Sequence, residues 1–158
     1  MKSILYLSLL LSLAAAPVNK SPDLHISITL TRSEHSKDSN STQTTITLSS
    51  NKLVYDETHH GFHARPPVHK ERTLTTEEIS ELKRLIKEKN LLKSKMSKYP
   101  PGNVPYALYD LTVEIRWQGK RSLLRISGPT NSDEMTNSRL YQETDNLIEE
   151  ITVLANRD

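Results

Sequence analysis

Four of the six histidines lie close together in the chain, at His59, His60, His63 and His69. Neutral imidazole is the commonest protein ligand for zinc and copper. If this segment is a loop that folds back, three imidazoles can converge on one ion, with Asp56 or Glu57 adding an oxygen ligand. The spacing matches no established zinc motif. Two alternatives therefore stay open, a Zn or Cu site and a polar loop rich in histidine, and the residues favour the second.

The segment Lys93–Pro105 combines three lysines with Met96, Tyr99 and the adjacent prolines Pro100 and Pro101. Adjacent prolines favour an extended, polyproline-like backbone. Aromatic residues and methionine are enriched at protein interfaces, and loops longer than about 12 residues are more often functional or disordered than neutral. The segment therefore predicts a protein-contact loop, and a simple connection is the alternative.

Together these observations favour a non-enzymatic module that binds a partner protein through two long proline-containing loops, His59–Arg72 and Lys93–Pro105. The alternative function is binding of Zn or Cu by the histidines, and otherwise we expect no cofactor. The candidate partner-contact residues are Phe62, Arg65, Lys95, Met96 and Tyr99.

No motif in the sequence predicts an enzyme. The chain has no cysteine, which excludes a thiol nucleophile, a disulfide scaffold, a cysteine zinc finger and an iron–sulfur site. It has four glycines and neither a phosphate-binding glycine loop nor a nucleophile elbow. Asp110 and Glu114 share a strand face, but at about 3.3 Å per residue they lie about 13 Å apart. A retaining glycosidase needs its two carboxylates about 5 Å apart.

The balance of charges excludes one class of partner. The 158 residues include 21 Lys and Arg against 19 Asp and Glu. A near-neutral chain lacks the electrostatic footprint of a polybasic nucleic-acid binder. Its length is typical of one domain.

The first 16 residues have the order of a secretory signal peptide. Lys2 precedes an apolar run, Ile4–Leu13, and three alanines follow at Ala14–Ala16. The run is shorter than the roughly 20 residues needed to cross a bilayer. A cut after Ala16 would leave Pro17 directly after the cleaved bond, which is unfavourable for a signal peptidase. Cleavage after Ala14 is therefore an alternative. We therefore expect a signal peptide at 1–16, a short linker at 17–22 and one domain at 23–158. The mature chain would be secreted or periplasmic, without membrane contact.

Alternation of apolar and polar residues predicts the strands of that domain. They lie near Leu24–Leu30, Thr44–Leu48, Leu53–Tyr55, Leu111–Trp117 and Ser122–Ile126. Thr75 and Glu78 form a capping box that begins a helix ending near Asn90, and Leu140–Leu154 has the apolar spacing of a closing helix. Each strand has one apolar face and each helix one apolar stripe. The pattern predicts an α+β, two-layer sandwich of order βββαββα, with a five-stranded antiparallel sheet and two helices on one face.

This layout resembles the emfourin family, small inhibitors of thermolysin-like metallopeptidases. The similar features, within residues 24–154, are a helix introduced by a Leu-x-x-Glu-Glu run (Leu74–Glu78), a Tyr-x-Leu-Thr-Val strand (Tyr109–Val113), a turn at Gly119 and a final leucine-rich helix (Leu140–Leu154). The resemblance implies a small α+β fold, an inhibitor-like role and a secreted peptidase as partner. It assigns no inhibitory residue.

Overall fold

The computed structural model describes residues 23–34, 40–61, 64–99, 107–130 and 132–157. The predicted signal peptide at 1–16 and linker at 17–22 lie outside the described residues, as do Phe62, His63 and residues 100–106. Within the described ranges, no helix has the length and apolar character needed to cross a membrane.

The described residues form seven strands and three helices. The strands are β1 (His25–Glu34), β2 (Ser41–Ser49), β3 (Lys52–His60), β4 (Val68–Thr73), β5 (Lys95–Lys98), β6 (Ala107–Trp117) and β7 (Lys120–Pro129). The helices are α1 (Thr76–Glu88), α2 (Asp133–Thr136) and α3 (Arg139–Asn156). The strands form one sheet in the order β4-β3-β2-β1-β6-β7-β5, in which β5 runs parallel to β7 and every other neighbouring pair is antiparallel.

The prediction of a five-stranded antiparallel sheet with two helices is wrong. The described residues form a mixed, seven-stranded sheet with three helices, and the elements that the pattern missed are the short helix α2 and the strands β4 and β5, at the two edges of the sheet. In β4 the positions that face the helices include Lys70 and Arg72. The Lys70 ammonium group donates to the Asn156 side chain, and the Arg72 guanidinium donates to the Leu154 carbonyl at 3.0 Å. Long cationic side chains that reach helix ends replace the apolar residues that would have marked a strand.

The second missed strand, β5, also lacks apolar residues on the face toward the helices. Lys95 and Ser97 occupy that face, while Met96 points to the other side of the sheet and is 77% exposed. Both segments predicted as long loops therefore contain an edge strand. The loop predicted at His59–Arg72 is largely the β3–β4 hairpin, and the segment Lys93–Pro105 begins with β5.

The core lies between one face of the sheet, the inner face, and the helices. Alternate residues of β1, β2, β6 and β7 are fully buried there, because each strand turns every second side chain inward. The helices contribute the apolar stripes that the sequence predicts. Fully buried apolar residues from both layers are Ile26, Ile28, Ile46, Leu48, Leu82, Ile86, Leu91, Val113, Ile115, Leu124, Ile126, Met135, Leu147 and Ile151.

Helix α1 begins as the sequence predicts. The Thr75 hydroxyl accepts from the Glu78 amide at 3.2 Å, and the Glu78 carboxylate accepts from the Thr75 amide at 2.9 Å. These two bonds satisfy amides that have no partner within the helix. The Glu78 carboxylate also lies 2.9 Å from the Arg72 guanidinium. The start of α1 is thereby tied to edge strand β4.

Candidate functional site

Two of the four clustered histidines lie in consecutive positions at the end of β3. His59 is half-buried on the inner face, with its Nε2 atom 2.9 Å from the Glu57 carboxylate and its Nδ1 atom 3.2 Å from the Thr42 hydroxyl. His60 is exposed on the opposite face. The backbone of β3 therefore turns these two imidazoles away from each other.

His69 lies on β4, on the outer face of the sheet, opposite the inner-face His59. Its Nδ1 atom is 2.6 Å from the Asp56 carboxylate, and this hydrogen bond raises the pKa of His69. The Glu71 carboxylate lies 3.7 Å from Nε2. Among the described residues, no three His, Asp or Glu side chains are arranged to hold a metal ion. Because His63 is not described, a Zn or Cu site stays a prediction.

The candidate contact residues of the second segment lie on both faces of β5. The ammonium group of Lys95 is 3.6 Å from the buried Glu143 carboxylate, on the inner face. Tyr99, just beyond the strand, packs against the core and donates its amide to the Ser127 carbonyl at 2.8 Å. Of Lys95, Met96 and Tyr99, Met96 alone points to the outer face of the sheet. Of the remaining candidates, Arg65 is exposed in the β3–β4 connection and Phe62 lies outside the described residues.

Met96 lies among outer-face residues that form what we name the β5-edge surface: Met96, Lys98, Leu123 and Arg125. A shallow groove of about 310 Å³ passes between Met96, Leu123 and Arg125. Lys98 and Arg125 are exposed, and neither forms an ion pair with any described residue. The surface is therefore positive, with an exposed methionine at its centre.

A second cavity, which the sequence did not predict, lies on the inner face where α3 crosses β1, β2 and β3. We name it the polar cleft. It has a volume of about 420 Å³ and is lined by Leu30, Arg32, Thr44, Tyr55, Glu57, Asp145, Ile148, Glu149, Thr152 and Val153. Its apolar floor continues the core, and its charged residues lie toward the end of the sheet where β1 and β3 end.

One carboxylate of the polar cleft is already engaged. The Tyr55 hydroxyl donates to Oε2 of Glu57 at 2.5 Å, and His59 contacts Oε1. Burial and the neighbouring Glu57 carboxylate raise the pKa of Tyr55 to about 12. These hydrogen bonds form one continuous network along two strands, through Thr42, His59, Glu57 and Tyr55. The network holds the Glu57 side chain in place.

Arg32 and Asp145 have no such partners. The Arg32 guanidinium lies over the Tyr109 ring, 5.8 Å from its centroid, and forms no ion pair with a described carboxylate. Burial raises the pKa of Asp145, although the Arg32 charge opposes that effect. The Tyr109 hydroxyl is buried without a hydrogen-bond partner among the described residues. Burial, with smaller contributions from Tyr141 and Asp145, raises the pKa of Tyr109.

A signal for part of the cleft is present in the sequence. Arg32 continues the inward alternation of Leu24, Ile26, Ile28 and Leu30, so it occupies a position where an apolar residue is expected. Glu57 does the same in β3. A charged residue in register with a buried stripe marks the point at which coverage by the helices ends. The residue of α3 that lies opposite such a charged residue depends on where the helix crosses the sheet. No local sequence pattern predicts that crossing.

No protein-family profile matches the chain, and no curated protein has a significantly similar sequence. The function is therefore argued from the two sites.

Proposed function

We propose that this chain is an exported, non-enzymatic interaction module that binds an extended, acidic segment of a partner protein at the β5-edge surface. The observation that carries the proposal is the exposure of Met96, 77%, beside cations that have no ion-pair partner among the described residues. Methionine and arginine are among the residues enriched at protein–protein interfaces.

The position of β5 supports binding of an extended segment. The strand pairs with β7 on one side and forms the edge of the sheet on the other. An edge strand presents unpaired N–H and C=O groups to which an extended peptide can add. Alternate side chains of such a peptide would lie beside Met96 on the outer face.

The charges support an acidic partner. Lys98 and Arg125 flank Met96 and form no ion pair with a described carboxylate. Carboxylates of the partner would gain charge-assisted hydrogen bonds to these groups. Charged residues along an edge also discourage pairing with uncharged strands, which would make the surface selective.

The expectation of export and the resemblance to the emfourin family suggest the first partner to test, a secreted thermolysin-like metallopeptidase. In this form of the proposal the module is an inhibitor, and the extended acidic segment belongs to the peptidase. Inhibition of such a peptidase by the purified protein, measured by hydrolysis of a fluorogenic peptide, is the expected result.

The surface itself is tested with defined peptides. A fluorescein-labelled peptide of alternating Glu and Val is expected to bind, and its Lys-Val counterpart to bind at least tenfold more weakly. Met96→Glu and Arg125→Glu should each weaken binding of the acidic peptide at least tenfold in fluorescence anisotropy. Lys120→Glu, at the β6–β7 turn, is the matched control and should leave binding unchanged.

Two results would contradict the proposal. One is equal binding of the acidic and basic peptides, and the other is undiminished binding by both the Met96 and Arg125 variants. A peptidase that is inhibited equally by all the variants would place the inhibitory contact elsewhere on the chain.

A further inference from the structure

We propose that the polar cleft binds a small zwitterion, a molecule such as a free α-amino acid that carries a carboxylate and an ammonium group on neighbouring atoms. Arg32 would bind the carboxylate and Asp145 the ammonium group. The cleft is formed by β1–β3 and α3, whereas the β5-edge surface lies at one edge of the sheet. The two sites share no residue, so this inference stands independently of the proposed function.

Arg32 suits a carboxylate ligand. A guanidinium group presents donors in a planar fork that matches a carboxylate. The ring of Tyr109 below it limits the orientations of the group, and a guanidinium held by an aromatic face loses less freedom on binding. No described carboxylate occupies the fork.

Asp145 suits an ammonium ligand. Its carboxylate is half-buried and forms neither a hydrogen bond nor an ion pair with a described residue. A carboxylate that has lost water without gaining a partner is destabilising. A bound ammonium group would supply the missing partner, and the exposed Glu149 carboxylate at the rim would add attraction for it.

Among the described residues, the cleft offers one free cation, Arg32, and two free carboxylates, Asp145 and, at the exposed rim, Glu149. The Arg32 charge lowers the pKa of Asp145 in part, yet no ion pair joins the two residues. Glu57 is engaged by Tyr55 and His59 and is not available. A ligand with one positive and one negative group fits this set better than a polycation or a dianion.

The remaining lining defines the rest of the ligand. Leu30 and Ile148 form an apolar floor, and Val153 is exposed at the rim. The volume of about 420 Å³ accommodates an amino acid with an aliphatic or aromatic side chain. Burial of that side chain against the floor would contribute to affinity, since roughly 25 cal/mol is gained per Å² of apolar surface. Leucine and phenylalanine are therefore expected to bind better than glycine.

Isothermal titration calorimetry with the purified chain tests the inference. L-Leucine and L-phenylalanine are the probes, and N-acetyl-L-leucine and L-leucinamide each lack one of the two charges. The free amino acids should bind, and each blocked analogue should bind at least tenfold more weakly. Arg32→Gln and Asp145→Asn should each weaken leucine binding at least tenfold, while the outer-face controls Arg125→Gln and Asp110→Asn should not.

Several outcomes would overturn the inference. It is wrong if none of the free amino acids binds, or if the blocked analogues bind as well as leucine. It is also wrong if Arg32→Gln and Asp145→Asn leave the affinity for leucine unchanged. Binding of leucinamide and of lysine-containing peptides without dependence on Arg32 would instead identify the cleft as a pocket for a basic side chain of a protein.

Discussion

Tyr99 and Gly128 are in direct contact where β5 joins the sheet. A Cβ atom on Gly128 would lie 2.7 Å from the Cβ atom of Tyr99 and 3.2 Å from the Met135 sulfur. Tyr99 also donates its amide to the Ser127 carbonyl, next to Gly128. Glycine is needed here because the Tyr99 side chain lies against the Gly128 backbone and leaves no room for a Cβ atom. The contact lets the end of β5 pair closely with β7, so it helps to hold the residues of the β5-edge surface in position.

Gly128→Ala is therefore expected to destabilise the protein. The atom met at 2.7 Å is a Cβ atom, which moves only with its backbone, so the strands would have to separate. Overpacking of this kind costs about 1–3 kcal/mol. Urea unfolding followed by circular dichroism should show a lower midpoint, and Ser127→Ala is the control. An unchanged midpoint would mean that the end of β5 moves freely and that the contact contributes nothing.

The sequence predicted the strands whose inward positions are apolar and missed those whose inward positions are charged. The stripes of β1 and β6, and the capping box at Thr75 and Glu78, were visible because local chemistry and tertiary burial agree there. In β4, Arg72 faces inward and is satisfied by the Leu154 carbonyl of α3. That partner lies far away in the chain, so no local pattern could indicate it.

The candidate sites also divide into one with a local signal in the sequence and one that depends on contacts between distant elements. Met96 was predicted as a contact residue from its type and its proline-rich surroundings, and it is exposed on an edge strand. The polar cleft was not predicted, because Asp145 comes close to β1–β3 only as a result of the path that α3 takes across the sheet. Its one local signal was Arg32, a cation in the register of a buried stripe.

Thr75→Ala should lower the stability of the domain by about 1 kcal/mol, the usual cost of removing an N-cap hydroxyl. The Glu78 amide would lose its acceptor at the start of α1. Thr75→Ser keeps the hydroxyl and should recover most of the loss, as measured by the urea midpoint. If the Ala and Ser variants were equally stable, the capping box would contribute nothing to the fold.

His69 should make stability depend on pH. The hydrogen bond to Asp56 raises the pKa of His69 above its ordinary value of 6.5. Stabilisation by this pair is therefore complete below about pH 6.5 and is lost as the pH rises through the higher folded-state pKa. His69→Gln should lower the melting temperature at pH 5.5 and have little effect at pH 9. His60→Gln, also exposed, is the control, and an effect of His69→Gln that is the same at both pH values would rule out this linkage.

Zinc and copper should produce no rise in melting temperature that depends on His63. His59 is engaged by Glu57 and Thr42, and it lies on the opposite face of the sheet from His69. A thermal-shift measurement with a tenfold excess of each metal tests this expectation on the wild type and on His63→Ala. A rise of several degrees that His63→Ala abolishes would establish the metal site instead, since a ligand that binds only the folded state adds stability.

Asp145→Asn is expected to stabilise the protein at neutral pH while removing ligand binding. Burial raises the pKa of Asp145 above its ordinary value of 3.8, so the fold favours the protonated form. The stability associated with this group is complete below about pH 3.8 and is lost as the pH rises through the folded-state pKa. An amide cannot ionise and avoids that loss.

The gain at pH 7 should be no more than about 1 kcal/mol, because the Asp145 carboxylate still contacts water. The difference in urea midpoint between wild type and variant should disappear toward pH 3. Asp110→Asn, at an exposed position on the outer face, is the control and should have little effect at either pH. A variant less stable than wild type at pH 7 would show that the Asp145 carboxylate has a stabilising partner in the free protein. The unpaired charge would then no longer support a ligand in the polar cleft.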